Sequence, residues 1–276
     1  MSEASEITKI FERMRQSEMN DWVGGSDPEL VGTHQAAMVK SLININEDSR
    51  VLDFGCGIGR TIAALLKDTK PAELVGMDIM PPVIDFCNEN LNPLHDKLKF
   101  EVVSDDNDHY DHLKGGGKSR PREQLIAEYD GHFSAGYALS VFTHVAAKDF
   151  VNILKFIADM LAPGGEFIFT CFCLTPYSRY MMEQGQSLFP LESGVFQQDD
   201  RVFIGNVSDP LAFIAFERTD IERMAWEASL SVTKVQYGVW MGGGLGAFLQ
   251  DCVVVRKPLA LKEAGQIEMT PLVPRD

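Results

Sequence analysis

No apolar run in this 276-residue chain approaches the ~20 residues that a bilayer-spanning helix needs, so nothing predicts a membrane protein. Positive charge is scarce. Against 40 Asp plus Glu stand 25 Lys plus Arg, a formal net charge of -15, which makes a phosphate backbone an unfavourable partner and argues against nucleic acid. The one basic cluster, Lys114, Lys118, Arg120 and Arg122, reads as a solvated loop. Cysteine is also sparse, five residues at irregular spacing, which suits neither a disulfide framework nor a zinc site. Cys171 and Cys173 alternate along an apolar stretch and read as small buried hydrophobes. The start, Met-Ser-Glu-Ala-Ser-Glu6, carries two acids and no apolar core, unlike a secretory signal. These absences set the expectation of a soluble cytoplasmic protein, one α/β domain with additions.

What the chain does contain is an apolar run entering an acid and three glycines, Val51-Leu-Asp-Phe-Gly-Cys-Gly-Ile-Gly59. Such a run ends a buried parallel strand in a tight turn that opens a helix. Glycine at 55, 57 and 59 lets the chain bend sharply and lets a ligand lie against backbone N–H groups at the helix start. A dinucleotide turn carries Gly-x-Gly-x-x-Gly around a pyrophosphate. Here the spacing is Gly-x-Gly-x-Gly, and Asp53 before it repels a pyrophosphate and suits an ammonium group. The combination resembles motif I of the class I methyltransferases that use S-adenosylmethionine (SAM).

The resemblance continues along the chain. Glu73-Leu-Val-Gly-Met-Asp78 is a short apolar strand ending in an acid, placed like the family's ribose-binding carboxylate, which accepts both ribose hydroxyls. Leu98 to Val103 forms a third strand, and the family's adenine-binding position just beyond it falls on Asp105 or Asp106. Phe133 to Leu139 is a fourth strand running into Ser140-Val-Phe-Thr-His144, similar to motif IV; Ser134 stands where the family usually has an aspartate, at the end away from the pocket. Leu161-Ala-Pro-Gly-Gly165 resembles the family's turn into a fifth strand, with proline ending a helix and glycine allowing positive φ. Tyr237-Gly-Val-Trp240, a glycine loop over 242–246 and Gln250-Asp-Cys-Val-Val-Val255 resemble its terminal hairpin, strands Ser231 to Tyr237 and Asp251 to Arg256. Covering about residues 48 to 256, the resemblance implies a Rossmann-like doubly wound α/β sheet of seven strands in the order 3-2-1-4-5-7-6, the last strand antiparallel. N-terminal helices and a cap insertion complete it.

The flanking segments fit that frame. Ile7, Ile10, Phe11 and Met14 recur at helical spacing, and Asp27-Pro28 caps a second helix through Leu42. In the family such leading helices cover the cofactor pocket, which makes Trp22 either a lid residue or a packing tryptophan. Pro81-Pro82 opens a helix with Val83, Phe86, Cys87 and Leu91 inward. Residues 107–128 read as a polar excursion, and Thr219-Asp-Ile-Glu as a capping box into a helix burying Ile221, Met224 and Ala225. Asp105 to His112 mixes acids with His109 and His112 but lacks the spacing of a calcium loop or a zinc site, so no metal is expected.

The resemblance implies a transferase with SAM as cofactor, methylating a small-molecule acceptor by in-line displacement. Its cofactor contacts fall on Asp53, Gly55, Cys56, Gly57 and Gly59 at the methionine end. Asp78 and Ile79 fall at the ribose, Asp105 and Asp106 at the adenine, and Ser140 at the end of the fourth strand. His144 reads as the base for a hydroxyl acceptor, or as a histidine packing the helix start. Tyr177, Arg179 and Tyr180 read as acceptor-pocket residues, or as packing between cap and body; Tyr237 and Trp240 read as bordering the acceptor, or as anchors of the terminal hairpin. The expected division is a helical lid over 1–47, the SAM-binding domain over 48–258 with a substrate cap at 174–216, and a tail over 259–276. A nicotinamide-dependent oxidoreductase and a catalytically silent SAM-binding protein are the competing readings; oligomeric state and the atom methylated stay open.

Overall fold

Val51, Leu52, Asp53 and Phe54 are all buried, and so are Leu74 to Asp78, because both runs are strands covered on two faces. The computed structural model describes residues 3–104, 119–189, 191, 194–242 and 248–259. Three helices lead, α1 (Glu3–Gln16), α2 (Met19–Trp22) and α3 (Pro28–Leu42), the last with Asp27 accepting the Leu30 N–H as its cap. Then follow β1 (Arg50–Phe54), α4 (Arg60–Leu65), β2 (Glu73–Asp78), α5 (Pro81–Asn90) and β3 (Leu98–Val102). The second half of the sheet comes from α6 (Arg122–Tyr129), β4 (Phe133–Ala138), α7 (Ala147–Met160) and β5 (Leu161–Cys171). An excursion holds β6 (Cys173–Leu174), α8 (Pro176–Glu183), β7 (Val195–Gln197), β8 (Val202–Ile204) and β9 (Ile214–Glu217). Helix α9 (Arg218–Glu227) leads into the closing hairpin of β10 (Ser231–Gln236) and β11 (Asp251–Arg256).

The main sheet has seven strands in the order β10-β11-β5-β4-β1-β2-β3. Strands β1 to β5 are mutually parallel, and β11 runs antiparallel to both β5 and β10. Counted along this sheet the order is 3-2-1-4-5-7-6, as the sequence predicts. One apolar cluster, with Ile7, Phe11, Met14, Val51, Ile62 and Leu74, joins the leading helices to one face; the other, with Leu52, Phe142, Phe150, Phe169 and Phe216, fills the opposite face under α7 and α9. No helix among the described residues is long and apolar enough to cross a membrane.

Three local expectations change. The 107–128 excursion is in part helical, since α6 starts at Arg122 and buries Leu125 and Tyr129. Thr219 caps nothing: α9 begins directly from Glu217 with no side-chain cap, and Thr219 lies inside it, its hydroxyl taking an N–H of Arg201. The buried set Ile221, Met224 and Ala225 is as expected. The irregular stretch after β5 has a fold of its own, a four-stranded sheet ordered β6-β9-β8-β7. Its core is aromatic: Phe172 stacks on Phe213 at 4.2 Å between ring centroids, with Phe189 and Trp240 against them.

Candidate functional site

A cavity of about 450 Å³ opens at the carboxyl edge of the parallel strands, where β1 and β4 lie side by side with helices leaving to opposite faces. This is the place where open α/β sheets bind ligands. Asp53, Gly55, Cys56, Gly57, Asp78, Ile79, Ser140 and His144 all line it. Gly59 does not. With φ of 78° it heads α4, and a Cβ there meets Leu91 Cδ2 at 2.9 Å, so this glycine serves the packing of α5. Gly55 and Gly57 are glycine for the cavity's own walls: both have positive φ, and added Cβ atoms come within 2.3 Å of Val141 and 2.9 Å of Val23.

Within the turn, Gly55 and Cys56 both give their N–H to the Met77 carbonyl (2.7 and 3.1 Å), Gly57 gives its own to Asp78 Oδ2 (2.8 Å), and Gly59 bonds the Cys56 carbonyl (2.9 Å). These four N–H groups are taken within the turn and by the end of β2, so the donors that face a ligand are those of the first turn of α4. Burial raises the Asp53 carboxyl well above its ordinary range, with the Tyr137 phenol and the Arg60 charge opposing.

Asp78 is 6% exposed. Its Oδ2 holds Gly57 N–H, and its Oδ1 accepts the Met80 N–H at 3.0 Å. Burial raises its pKa while the backbone N–H groups lower it. Ser140, at φ 60°, is held in the left-handed region by two side chains: its N–H donates to Thr170 Oγ1 (2.7 Å) and its hydroxyl to Gln250 Oε1 (3.1 Å). His144 Nδ1 lies 2.9 Å from the Leu211 carbonyl, which only accepts, so Nδ1 carries the proton in the neutral ring.

Five residues assigned to an acceptor pocket do not line this cavity. Trp240 is buried in the aromatic core and donates its indole N–H to Asp251 Oδ2 at 2.8 Å. Tyr177 and Tyr180 are exposed, Tyr177 donating to the Gly242 carbonyl. Arg179 is paired with Glu217 and bonds the Asp200 carbonyl, and the Tyr237 hydroxyl accepts from Arg218. Hydrogen bonding and cap packing occupy all but Tyr180. Asp105 and Asp106 lie outside the described residues, as do His109, His112 and the tail from 260.

The structure adds wall residues that the sequence reading omits. Asp21 comes from α2, beside Trp22, which lines the cavity while packing on the neighbouring core; Val23 and Gly24 come from the turn after α2, Gln35 comes from α3, and Gln250 precedes β11. Arg60, first residue of α4, gives an N–H to the Val23 carbonyl at 2.6 Å. Its place one residue past the glycine turn was a usable signal. Gln250 had none, since it reaches Ser140 from 110 residues away.

A family model described as a methyltransferase domain matches residues 52–167. Among curated proteins, phosphoethanolamine N-methyltransferase 1 of Arabidopsis thaliana is 23% identical over 157 residues, 55% of this chain and 28% of that protein. Carboxy-S-adenosyl-L-methionine synthase of Haemophilus ducreyi is 31% identical over 64 residues, 22% of this chain and 26% of that one. The chain thus spans only about a quarter of the length of these relatives. Among solved structures, Burkholderia thailandensis 1,6-didemethyltoxoflavin-N1-methyltransferase, with its substrate and S-adenosylhomocysteine bound, superposes with a TM-score of 0.52 at 14% identity, over 92% of this chain and 88% of that one. A mitomycin 7-O-methyltransferase gives 0.55 at 14%, over 90% and 60%. At such identities the likeness is one of fold.

Proposed function

We propose that this chain, whose residues 52–167 match a methyltransferase-domain model, is a class I SAM-dependent methyltransferase that methylates a small-molecule acceptor with SAM as cofactor. The observation that carries the reading is Asp78. Its carboxylate is anchored to the turn by the N–H groups of Gly57 and Met80 and lies at the cavity wall, an acceptor pair that the two hydroxyls of a ribose diol fit. The buried Asp53 carboxyl at the cavity wall speaks against a pyrophosphate and suits an ammonium group.

Bound there, SAM supplies a methyl group on a sulfonium, already activated for displacement. The residues of the chain do the rest. Asp53 takes the amino end of the cofactor, Asp78 the ribose with Ile79 beside it, and Asp105 or Asp106 the adenine amine. Ser140, held by Thr170 and Gln250, shapes the wall where β4 ends. Positioning of this kind is worth on the order of 7 kcal/mol or more in well-oriented reactions. His144 serves as base for a hydroxyl acceptor: its Nδ1–H is fixed on Leu211, which leaves Nε2 as the proton-accepting nitrogen of the neutral ring.

Helices α1 to α3 act as the lid, supported by the cavity lining at Asp21 to Gly24 and Gln35. The segment 174–216 acts as the substrate cap; Leu211 and Ile214 of that segment bond His144 and the Thr143 carbonyl. A small acceptor is supported by the acidic chain and by relatives whose names specify phosphoethanolamine and mitomycin. Isothermal titration with SAM and with NAD tests the cofactor. Heat with SAM alone is expected, and binding of NAD in its place overturns the reading. A screen of acceptors for S-adenosylhomocysteine release then identifies the substrate.

A further inference from the structure

A second cavity, of about 490 Å³, lies in the excursion after β5, between the end of α8 and the small sheet. Small-molecule sites span about 300–1,000 Å³, so its size is that of a ligand site. It shares no lining residue with the cavity at the sheet edge. Phe189 in its wall packs instead against the aromatic core of the excursion, 5.1 Å from Phe172 between ring centroids.

The walls of this second cavity favour one sign of charge. Phe189, Phe196 and Phe203 supply rings, and Met182 a polarisable thioether. Phe203 is fixed in place, tilted on Phe196 with centroids 5.0 Å apart, and the chain passes it so closely at Gly194 that a Cβ there comes within 2.4 Å of its Cζ. Two charged side chains line the cavity, Arg179 and Glu183. The Arg179 charge is already answered by Glu217 and by the Asp200 carbonyl. Glu183 has no hydrogen bond or ion pair among the described residues. It is also the last residue of α8, at the negative end of that helix, which closes through the Gly185 N–H on the Met182 carbonyl and the Gln186 N–H on the Met181 carbonyl (both 2.9 Å). The backbone donors that an anion needs are engaged: the Leu188 N–H bonds the Trp240 carbonyl (2.9 Å) and the Phe189 N–H the Ser187 hydroxyl (3.1 Å). The unanswered charge is therefore negative, and it stands among rings whose faces are negative as well. One of those rings already holds a cation, since the Arg179 guanidinium lies over Phe196 at 4.7 Å from its centroid.

We propose that the cavity between α8 and the small sheet binds an organic cation, a substituted or quaternary ammonium ion carrying an apolar group, held between the Glu183 carboxylate and the phenylalanine wall. The site is separate from the cavity at the sheet edge and is occupied independently of it. The formal charge of -15 on the whole chain draws such a cation in from solution.

The test titrates benzyltrimethylammonium, benzyl alcohol and phenylacetate into the full chain by calorimetry, with and without excess S-adenosylhomocysteine, and repeats the titrations on Glu183→Gln and Phe196→Leu. The cation is expected to bind about 10-fold more tightly than the neutral or the anionic compound, to weaken as salt is added, and to keep its affinity when S-adenosylhomocysteine is present. Glu183→Gln and Phe196→Leu should each weaken the cation by about 3- to 10-fold, and Glu183→Gln should leave benzyl alcohol unaffected. Four results overturn the proposal: no detectable binding of the cation, no preference for it over the other two compounds, its displacement by S-adenosylhomocysteine, or unchanged affinity in Glu183→Gln. Glu183 is exposed at a helix end, so Glu183→Gln decides the matter if Phe196→Leu does not fold.

Discussion

Asp78→Ala removes a carboxylate that holds two buried backbone N–H groups before any ligand arrives, those of Gly57 and Met80 at 2.8 and 3.0 Å. Each orphaned N–H costs about 1–3 kcal/mol, so the ligand-free protein is expected to lose about 2–6 kcal/mol. The cofactor loses its ribose acceptor too, a further loss of about 1–3 kcal/mol in affinity. Asp78→Asn separates the two effects. Whichever way its amide turns, the NH₂ group meets one backbone donor, so one anchoring bond goes and one stays. Urea unfolding without ligand should rank the unmodified chain first, Asp78→Asn second and Asp78→Ala last. Calorimetric titration with S-adenosylhomocysteine should give the same order. Unfolding of Asp78→Ala at the unmodified chain's midpoint refutes the anchoring argument, and unchanged ligand affinity refutes the ribose assignment.

Burial raises the folded pKa of Asp53 above its unfolded value of about 4. Its contribution to stability is complete below the unfolded value and is lost as pH rises through the folded pKa; Asp53→Asn should flatten that slope in urea melts repeated across pH. Asp251→Ala strands the N–H groups of Cys173 and Gly238 and the indole of Trp240, bonded at 2.6, 2.7 and 2.8 Å, and should cost about 3 kcal/mol or more in chemical denaturation. Trp240→Phe should cost about 1 kcal/mol, only a share of that loss. For a hydroxyl acceptor, His144→Gln should lower kcat by about 10²- to 10⁴-fold with S-adenosylhomocysteine affinity unchanged by calorimetry; equal loss of both assigns His144 to packing.

The sheet and its ligand edge were legible because their signals are local. A strand entering Asp53 and a glycine turn, or one ending in Asp78, is written in consecutive residues. What the turn does with its N–H groups was not, because the acceptor of two of them is the Met77 carbonyl on the neighbouring strand, and pairing of that kind leaves no mark in either segment. Trp240 shows the same limit: its spacing before a glycine loop suits a pocket wall or a hairpin anchor alike, and only the pairing with Asp251 across the hairpin, which takes its indole N–H, favours the anchor. Helix α6 went unseen because only Leu125 and Tyr129 carry its buried face, too few positions for a helical period to show. The capping box at Thr219 failed for a different reason. The chain leaves β9 and turns at once into α9, so the cap position falls on Glu217, whose carboxylate is engaged by Arg179.

The two ends of the cavity are built by different parts of the chain, and this bears on where acceptor specificity resides. The end with Asp53 and Asp78 is made by β1, β2 and the turn between them and α4, inside the stretch that the family model matches. The other end takes Gln250 from beyond that stretch and His144 oriented by Leu211 of the excursion after β5. On the proposed reading the first end takes the cofactor and the second the acceptor. Substitutions at Gln250 are therefore expected to move the KM for acceptor and leave cofactor affinity in place. Substitutions at Asp78 should do the reverse, and a Gln250→Ala variant that weakens S-adenosylhomocysteine as much as Asp78→Ala does would dissolve the division.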